Sequence, residues 1–102
     1  MDNKLTAEIK RRGIPPLYAQ ELTEDKMVYL EMSLVHFHWR WFVTEAYIEP
    51  DGDILFFGFV SGDFGEWGYF RLSEMEQARC PLLVGYDFEP LPFSEVKKEY
   101  DL

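Results

Sequence analysis

Residues 39–60 read WRWFVTEAYIEPDGDILFFGFV, and this stretch decides the fold. Its two flanks are rich in aromatic and β-branched residues, which fit a pleated, half-buried surface, and Pro50-Asp51-Gly52-Asp53 stands between them. A proline presets the first torsion of a turn and an Asp-Gly pair accepts positive φ, so the flanks are expected to pair as an antiparallel hairpin. Alternation puts Trp39, Trp41, Val43 and Glu45 on one face of the first strand, and Arg40, Phe42, Thr44, Ala46 and Ile48 on the other.

The same period of two extends outward in both directions. Upstream, Val28, Leu30 and Met32 alternate with Tyr29, Glu31 and Ser33, the pattern of another half-buried strand. Downstream, Ser61-Gly62-Asp63 marks a turn, and Trp67 to Leu72 supplies a fourth strand. Before these strands, Leu5 and Ile9 lie four apart on one face of a short helix from about Leu5 to Arg12, with Lys10, Arg11 and Arg12 at its negative C-terminal end. Gly13 is placed to cap that helix, Pro15 and Pro16 forbid its continuation, and the polar stretch 20–26 reads as a loop. After the strands, Ser73 and Glu76 have the spacing of a capping box for a helix from Glu74 to about Arg79, ended by Pro81. The segment through Asp87, Phe88, Pro90 and Pro92 is expected to be extended, and Ser94 to Lys97 to begin a last short helix. The fold class expected is α+β in one domain over residues 1–102: a four-stranded antiparallel meander with a short N-terminal helix and short helices after the last strand.

Composition limits function. A chain of 102 residues that is 47% hydrophobic and 18% aromatic can bury enough surface to offset the entropy of ordering one domain. The single Cys80 cannot form an internal disulfide, and with two histidines it cannot complete a Cys/His structural zinc site. The longest apolar runs, such as Ile54 to Val60, are too short to span a membrane, and the N-terminus lacks the succession of a signal peptide, so a cytoplasmic location is expected. Formal net charge is -9, and because four of the ten basic residues fall in the first dozen positions, six basic residues face seventeen acidic ones from Gly13 onward. Between Trp41 and Phe70 there is no Lys or Arg, while Glu45, Glu49, Asp51, Asp53, Asp63 and Glu66 fall there. Such a field repels phosphate backbones and attracts basic protein surfaces.

No catalytic signature stands out. His36-Phe37-His38 sets two imidazoles on one side of an extended segment, where Glu31 or Glu45 from a neighbouring strand would have to complete a metal site. Cys80 has no histidine near it in sequence to activate it. Thr44-Glu45 and the carboxylates Asp51, Asp53, Asp63 and Glu66 are ordinary for turns and solvated strand faces. Gly58, Gly62, Gly65 and Gly68 lack the strand-to-helix context and lysine of a phosphate loop, and no metal or other cofactor is expected. The aromatics Trp39, Trp41, Phe56, Phe57, Phe59, Phe64, Trp67, Tyr69 and Phe70 exceed what one sheet face needs, so some should lie on the second face. Exposed rings beside carboxylates suit a protein interface, in which aromatic groups anchor and charge steers.

Several blocks are familiar in combination: Pro15-Pro16-Leu17-Tyr18-Ala19, Trp41-Phe42-Val43-Thr44-Glu45, Leu55-Phe56-Phe57-Gly58, Gly68-Tyr69-Phe70 with Leu72-Ser73-Glu74-Met75-Glu76, and Phe88-Glu89-Pro90 with Ser94-Glu95. In that order they resemble the bacterial family known as domain of unknown function 2958, from about Leu5 to Val96. The resemblance implies a small single-domain protein of plasmids, phages and other mobile elements, without an assigned activity. Leu34 to Arg40 and Gly85-Tyr86-Asp87 depart from that pattern.

Charge, aromatic content and resemblance together give the expectation of a non-catalytic acidic binding protein. Its expected partner is the basic surface of a host nucleic-acid enzyme, such as a restriction or CRISPR nuclease, with no direct contact to nucleic acid or membrane. The residues expected at that interface are Glu45, Glu49, Asp51, Asp53, Asp63, Glu66 and Trp67. The alternatives are a metal enzyme using His36 and His38, and a plasmid-maintenance module that self-associates through a sheet edge.

Overall fold

The Pro50–Asp53 turn closes the hairpin. In the computed structural model, which describes residues 3–78 and 80–102, Arg40–Ile48 (β3) and Ile54–Ser61 (β4) pair antiparallel with Ile48 opposite Ile54. Gly52 takes φ of 91°, the region that favours glycine, and its N–H donates to the Glu49 carbonyl at 2.9 Å. The remaining strands are Met27–Val28 (β1), Leu30–Leu34 (β2), Gly65–Arg71 (β5), Leu82–Val84 (β6) and Leu91–Pro92 (β7). The helices are Asn3–Arg12 (α1), Leu72–Glu76 (α2) and Phe93–Tyr100 (α3).

The meander is present as β2, β3, β4 and β5, but it is not the whole sheet. β6 adds to the free edge of β2, which gives a five-stranded antiparallel sheet of order β5-β4-β3-β2-β6. β1 and β7 form a separate two-stranded sheet. Both additions are pairings of distant segments, with Met32 opposite Val84 and Val28 opposite Leu91, which no local period announces.

Two interruptions change the expected faces. Pairing shifts between Val43 and Glu45, so Val43 opposes Gly58, Glu45 opposes Phe57, and Thr44 is the extra residue of a β-bulge. The Thr44 hydroxyl donates to the Phe57 carbonyl at 3.0 Å. Beyond the bulge the parity inverts: Ala46 and Ile48 join Trp41 and Val43 against the first core, and Glu45 turns to the opposite face. A break at Tyr29 does the same upstream, so Leu30 and Met32 enter the first core while Val28 packs with Phe42 and Val96 on the second.

Helices cover both faces. Leu5 and Ile9 of α1 and Leu72 and Met75 of α2 close the first core, and Val96 of α3 closes the second. α1 ends as expected at Gly13, with φ of 66°: the Gly13 N–H donates to Lys10 and the Ile14 N–H to Ile9, both at 3.2 Å, and Ile14 packs beside Ile9. α2 starts earlier than the expected capping box, at Leu72. The Glu74 carboxylate rather than that of Glu76 accepts the Arg71 N–H at 3.0 Å, and the Ser73 hydroxyl is used elsewhere. The expected end of this helix, Arg79, lies outside the described residues. No helix of the described residues is long and apolar enough to cross a membrane.

Candidate functional site

The seven carboxylate and aromatic positions expected at an interface do not form one surface. Glu45, carried across the sheet by the bulge, is only 2% exposed; its carboxylate accepts the Tyr18 N–H at 2.8 Å and the Gln20 N–H at 2.7 Å. Gln20 completes the clamp, donating its amide to the carbonyls of Thr44 and Met27 and accepting the Met27 N–H at 2.7 Å. Asp53 is also buried, because it ties the hairpin to α2: it accepts the N–H groups of Ile54 and Ser73 and the Ser73 hydroxyl, the last at 2.6 Å. Both carboxylates are therefore structural, and the expectation that they meet a partner is corrected. Glu49 is paired with Arg71 at 2.8 Å.

Asp51, Asp63, Glu66 and Trp67 are exposed. Asp51 sits at one end of β4 and the other three at the far end, about 25 Å away along eight extended residues. At that far end Asp63, Phe64, Glu66 and Trp67 lie on the β4–β5 turn and the start of β5, and Phe64 is 83% exposed. No ion pair reaches Asp63 or Glu66 among the described residues.

The second face carries the surplus aromatics. Phe57 stacks on Trp67 at 6.0 Å and meets Tyr69 at 4.9 Å, while Trp67 also packs on Phe59 and Phe93. Beside them Tyr18 meets Tyr69 edge-on at 6.5 Å. Tyr18, Glu21, Lys26, Phe57 and Tyr69 line a cleft of about 290 Å³. Tyr18 has φ of 72°, which is unusual for a residue with a side chain, and Glu45 holds it there through its N–H. Sequence reading noticed Tyr18 only within a resembling block and did not single out Glu21. The signal lay in Pro15-Pro16, which sends the chain back over the sheet so that the Pro15 carbonyl accepts the Ala46 N–H at 3.0 Å.

His36 and His38 are exposed in the β2–β3 turn, and among the described residues no three His, Cys, Asp or Glu side chains converge as a metal site. Cys80 lines a shallow cavity of about 450 Å³ with Leu72, Glu76, Pro81 and Leu82.

Several carboxylates serve the fold. Glu8 bridges Arg11 and Arg12, and hydrogen bonds from Arg11 first and Arg12 second hold its pKa at about 2, against an ordinary 4.5. Asp25 accepts the Ser94 hydroxyl and N–H in the first turn of α3, and Asp53 binds Ser73 in the same way; both titrate below their usual range for that reason. Glu31 goes the other way, because burial raises it and Arg40 offsets this only in part. A carboxylate lowered in the folded state adds stability that is present above its unfolded pKa and is lost as pH falls through the folded one. The stability difference between the parent and Glu8→Gln is therefore expected to be full above pH 4.5 and to shrink as the pH approaches 2, as measured by urea unfolding followed by circular dichroism. A difference that stays constant over that window would show that the Arg pairs do not act through the carboxylate charge.

No family model, curated protein or solved structure matches the chain.

Proposed function

We propose that this chain is a non-catalytic acidic binding protein that occupies a basic, nucleic-acid-binding surface of a partner, as an inhibitor of a host nuclease carried on a mobile element would. The resemblance drawn from the residue blocks is part of that proposal. The observation that carries it is the distribution of unpaired charge. Arg40, Arg71 and Lys98 are consumed in ion pairs with Glu31, Glu49 and Glu95, and Lys26 donates to the Thr23 carbonyl. Asp63 and Glu66, by contrast, stand beside the exposed rings of Phe64 and Trp67 without an ion-pair partner among the described residues. Aromatic groups that anchor, rimmed by carboxylates that steer, suit a basic groove whose usual ligand is phosphate.

The test is the double reversal Asp63→Lys, Glu66→Lys. Exposed charges outside packing change stability by only about 0.5 kcal/mol per site, so the variant should fold. Its association with a protein captured from host lysate is expected to slow and to lose much of its dependence on ionic strength, and competitor DNA should displace the parent chain from that protein. Reversal of Glu95 and Glu99 on α3 should matter less. The reading is lost if the Asp63/Glu66 variant, folded by circular dichroism, is captured as fast as the parent at low salt, or if the parent itself binds bare DNA in a gel shift.

A further inference from the structure

The cleft beneath Tyr18 is built in a way that the packing of the core does not require. Three rings, Tyr18, Phe57 and Tyr69, converge at different inclinations, with Tyr18 62% and Tyr69 52% exposed. The Glu45 carboxylate does not line the cleft but is bound to the Tyr18 backbone and acts on Tyr69 through its charge; it is buried and held by backbone N–H groups, with no basic side chain in ion-pair range among the described residues. Glu21 adds a second carboxylate at the rim. Tyr18 is held at positive φ to form one wall, a cost that a glycine would avoid; strain of this kind persists where surrounding structure over-determines it, often at binding sites.

We infer that this cleft receives an arginine side chain of the basic partner, its guanidinium lying against Tyr18 and Tyr69 and facing the charge of Glu45 and Glu21. The inference rests on the proposed reading of the chain as a binder of basic surfaces and names the group that such a surface inserts. Ring faces attract cations, and a planar guanidinium stacks on them better than an ammonium. The electrostatics agree: the Tyr69 hydroxyl titrates above its ordinary value, first through the neighbouring Tyr18 hydroxyl and burial, then through the negative charge of Glu45 and Glu21. Lys26 is the one cation on the lining among the described residues; its ammonium donates to the Thr23 carbonyl at 2.8 Å and lies 5.9 Å from the Trp67 ring centre, so an incoming guanidinium would share the cleft with it.

The probe is N-acetyl-arginine amide, titrated into the protein while the tyrosine ring resonances are followed by NMR, with the neutral isostere N-acetyl-citrulline amide as control. Arginine amide is expected to shift the Tyr18 and Tyr69 rings saturably in the millimolar range, and citrulline amide to leave them unmoved. Tyr18→Gly should weaken this binding about tenfold while leaving the melting temperature unchanged or higher, since glycine accepts the backbone angle freely. Glu21→Gln should weaken it and Lys26→Met should tighten it. Equal shifts with citrulline amide, no saturable shift in the parent, or weaker binding in Lys26→Met, as an anionic occupant would give, each overturns the inference. The Asp63→Lys, Glu66→Lys variant should keep the arginine response. Absence of that response in a parent chain still captured through Asp63 and Glu66 therefore sinks the cleft alone and leaves the broader reading standing.

Discussion

Replacing Arg12 by Met is expected to remove about 3 kcal/mol of stability, the cost of taking a charged donor away from several part-buried backbone acceptors. Arg12 closes α1, yet its side chain is only 4% exposed and reaches across the molecule. The guanidinium donates to the Tyr29 carbonyl at 3.0 Å, to the Tyr86 carbonyl at 2.6 Å and to the Phe88 carbonyl, while Nε binds Glu8 at 2.8 Å. One planar group thus fixes α1, the break at Tyr29 that sends Val28 to the second core, and the loop that carries the chain from β6 to β7. Methionine keeps the stem volume but takes this donor from the carbonyls of Tyr29, Tyr86 and Phe88 and leaves Glu8 to Arg11 alone, and an acceptor left unsatisfied away from water costs about 1–3 kcal/mol. Against a total of about 5–15 kcal/mol for a domain this size, such a loss is a large fraction. Urea unfolding is expected to show a lower midpoint at unchanged slope, because the surface exposed on unfolding is the same. Arg12→Lys should recover little, since an ammonium cannot span the same acceptors. Arg11→Ala, beside it and 65% exposed, serves as the control and should change much less. Equal effects at the two positions would mean that charge at the helix end, and not the buried fork, is what matters.

Arg12 also shows where sequence reading stops. Lys10, Arg11 and Arg12 fit the end of a helix dipole, and nothing local separates the one that folds inward from the two that remain outside. The helix, its glycine cap, the Pro50–Asp53 turn and the meander were legible because each is set by residues within a few positions. What was not legible is non-local. The pairing of β6 with β2 joins Leu82–Val84 to a strand about fifty residues earlier, and three residues carry no period. Asp53 read as a solvated turn carboxylate because its partner, Ser73, is twenty residues away. The candidate interface suffered in the same way. A basic-free span from Trp41 to Phe70 is continuous in sequence, but a hairpin sends its acidic residues to two opposite ends of β4, and it buries two of them. The reversal of Glu49, Asp51 and Asp53 that the linear pattern invites would break the Arg71 pair and the Ser73 anchor before it tested any partner.

The largest effect expected from a single added methyl group is at Gly58. A Cβ built there would lie 1.9 Å from the Phe42 carbonyl oxygen and 3.1 Å from the Val43 Cα, both of them main-chain atoms in the middle of the sheet that no side-chain rotation can clear. The close approach belongs to the bulge: Val43 opposes Gly58 where the register shifts, and the extra residue Thr44 pushes the β3 backbone over the glycine. Gly58→Ala is expected to cost about 3 kcal/mol, the upper end for an overpacked core, and to lower the melting temperature by roughly 15 °C. Gly68 supplies the matched control. It is the cross-strand partner of Gly58 on β5, and a Cβ there meets nothing within 4 Å, so Gly68→Ala should be neutral or slightly stabilising. The consequence reaches the cleft, because the bulge is what turns Glu45 away from the Trp41 face and sets it under Tyr18 and Gln20. If Gly58→Ala escapes the clash by straightening β3, Glu45 loses those two N–H donors and the Tyr18 loop is released. The Tyr18 and Tyr69 ring resonances should then lose their mutual contact even at temperatures where the sheet remains folded. A Gly58→Ala protein that melts with the parent and keeps those resonances would show that the bulge, and with it the placement of Glu45, does not depend on the missing side chain.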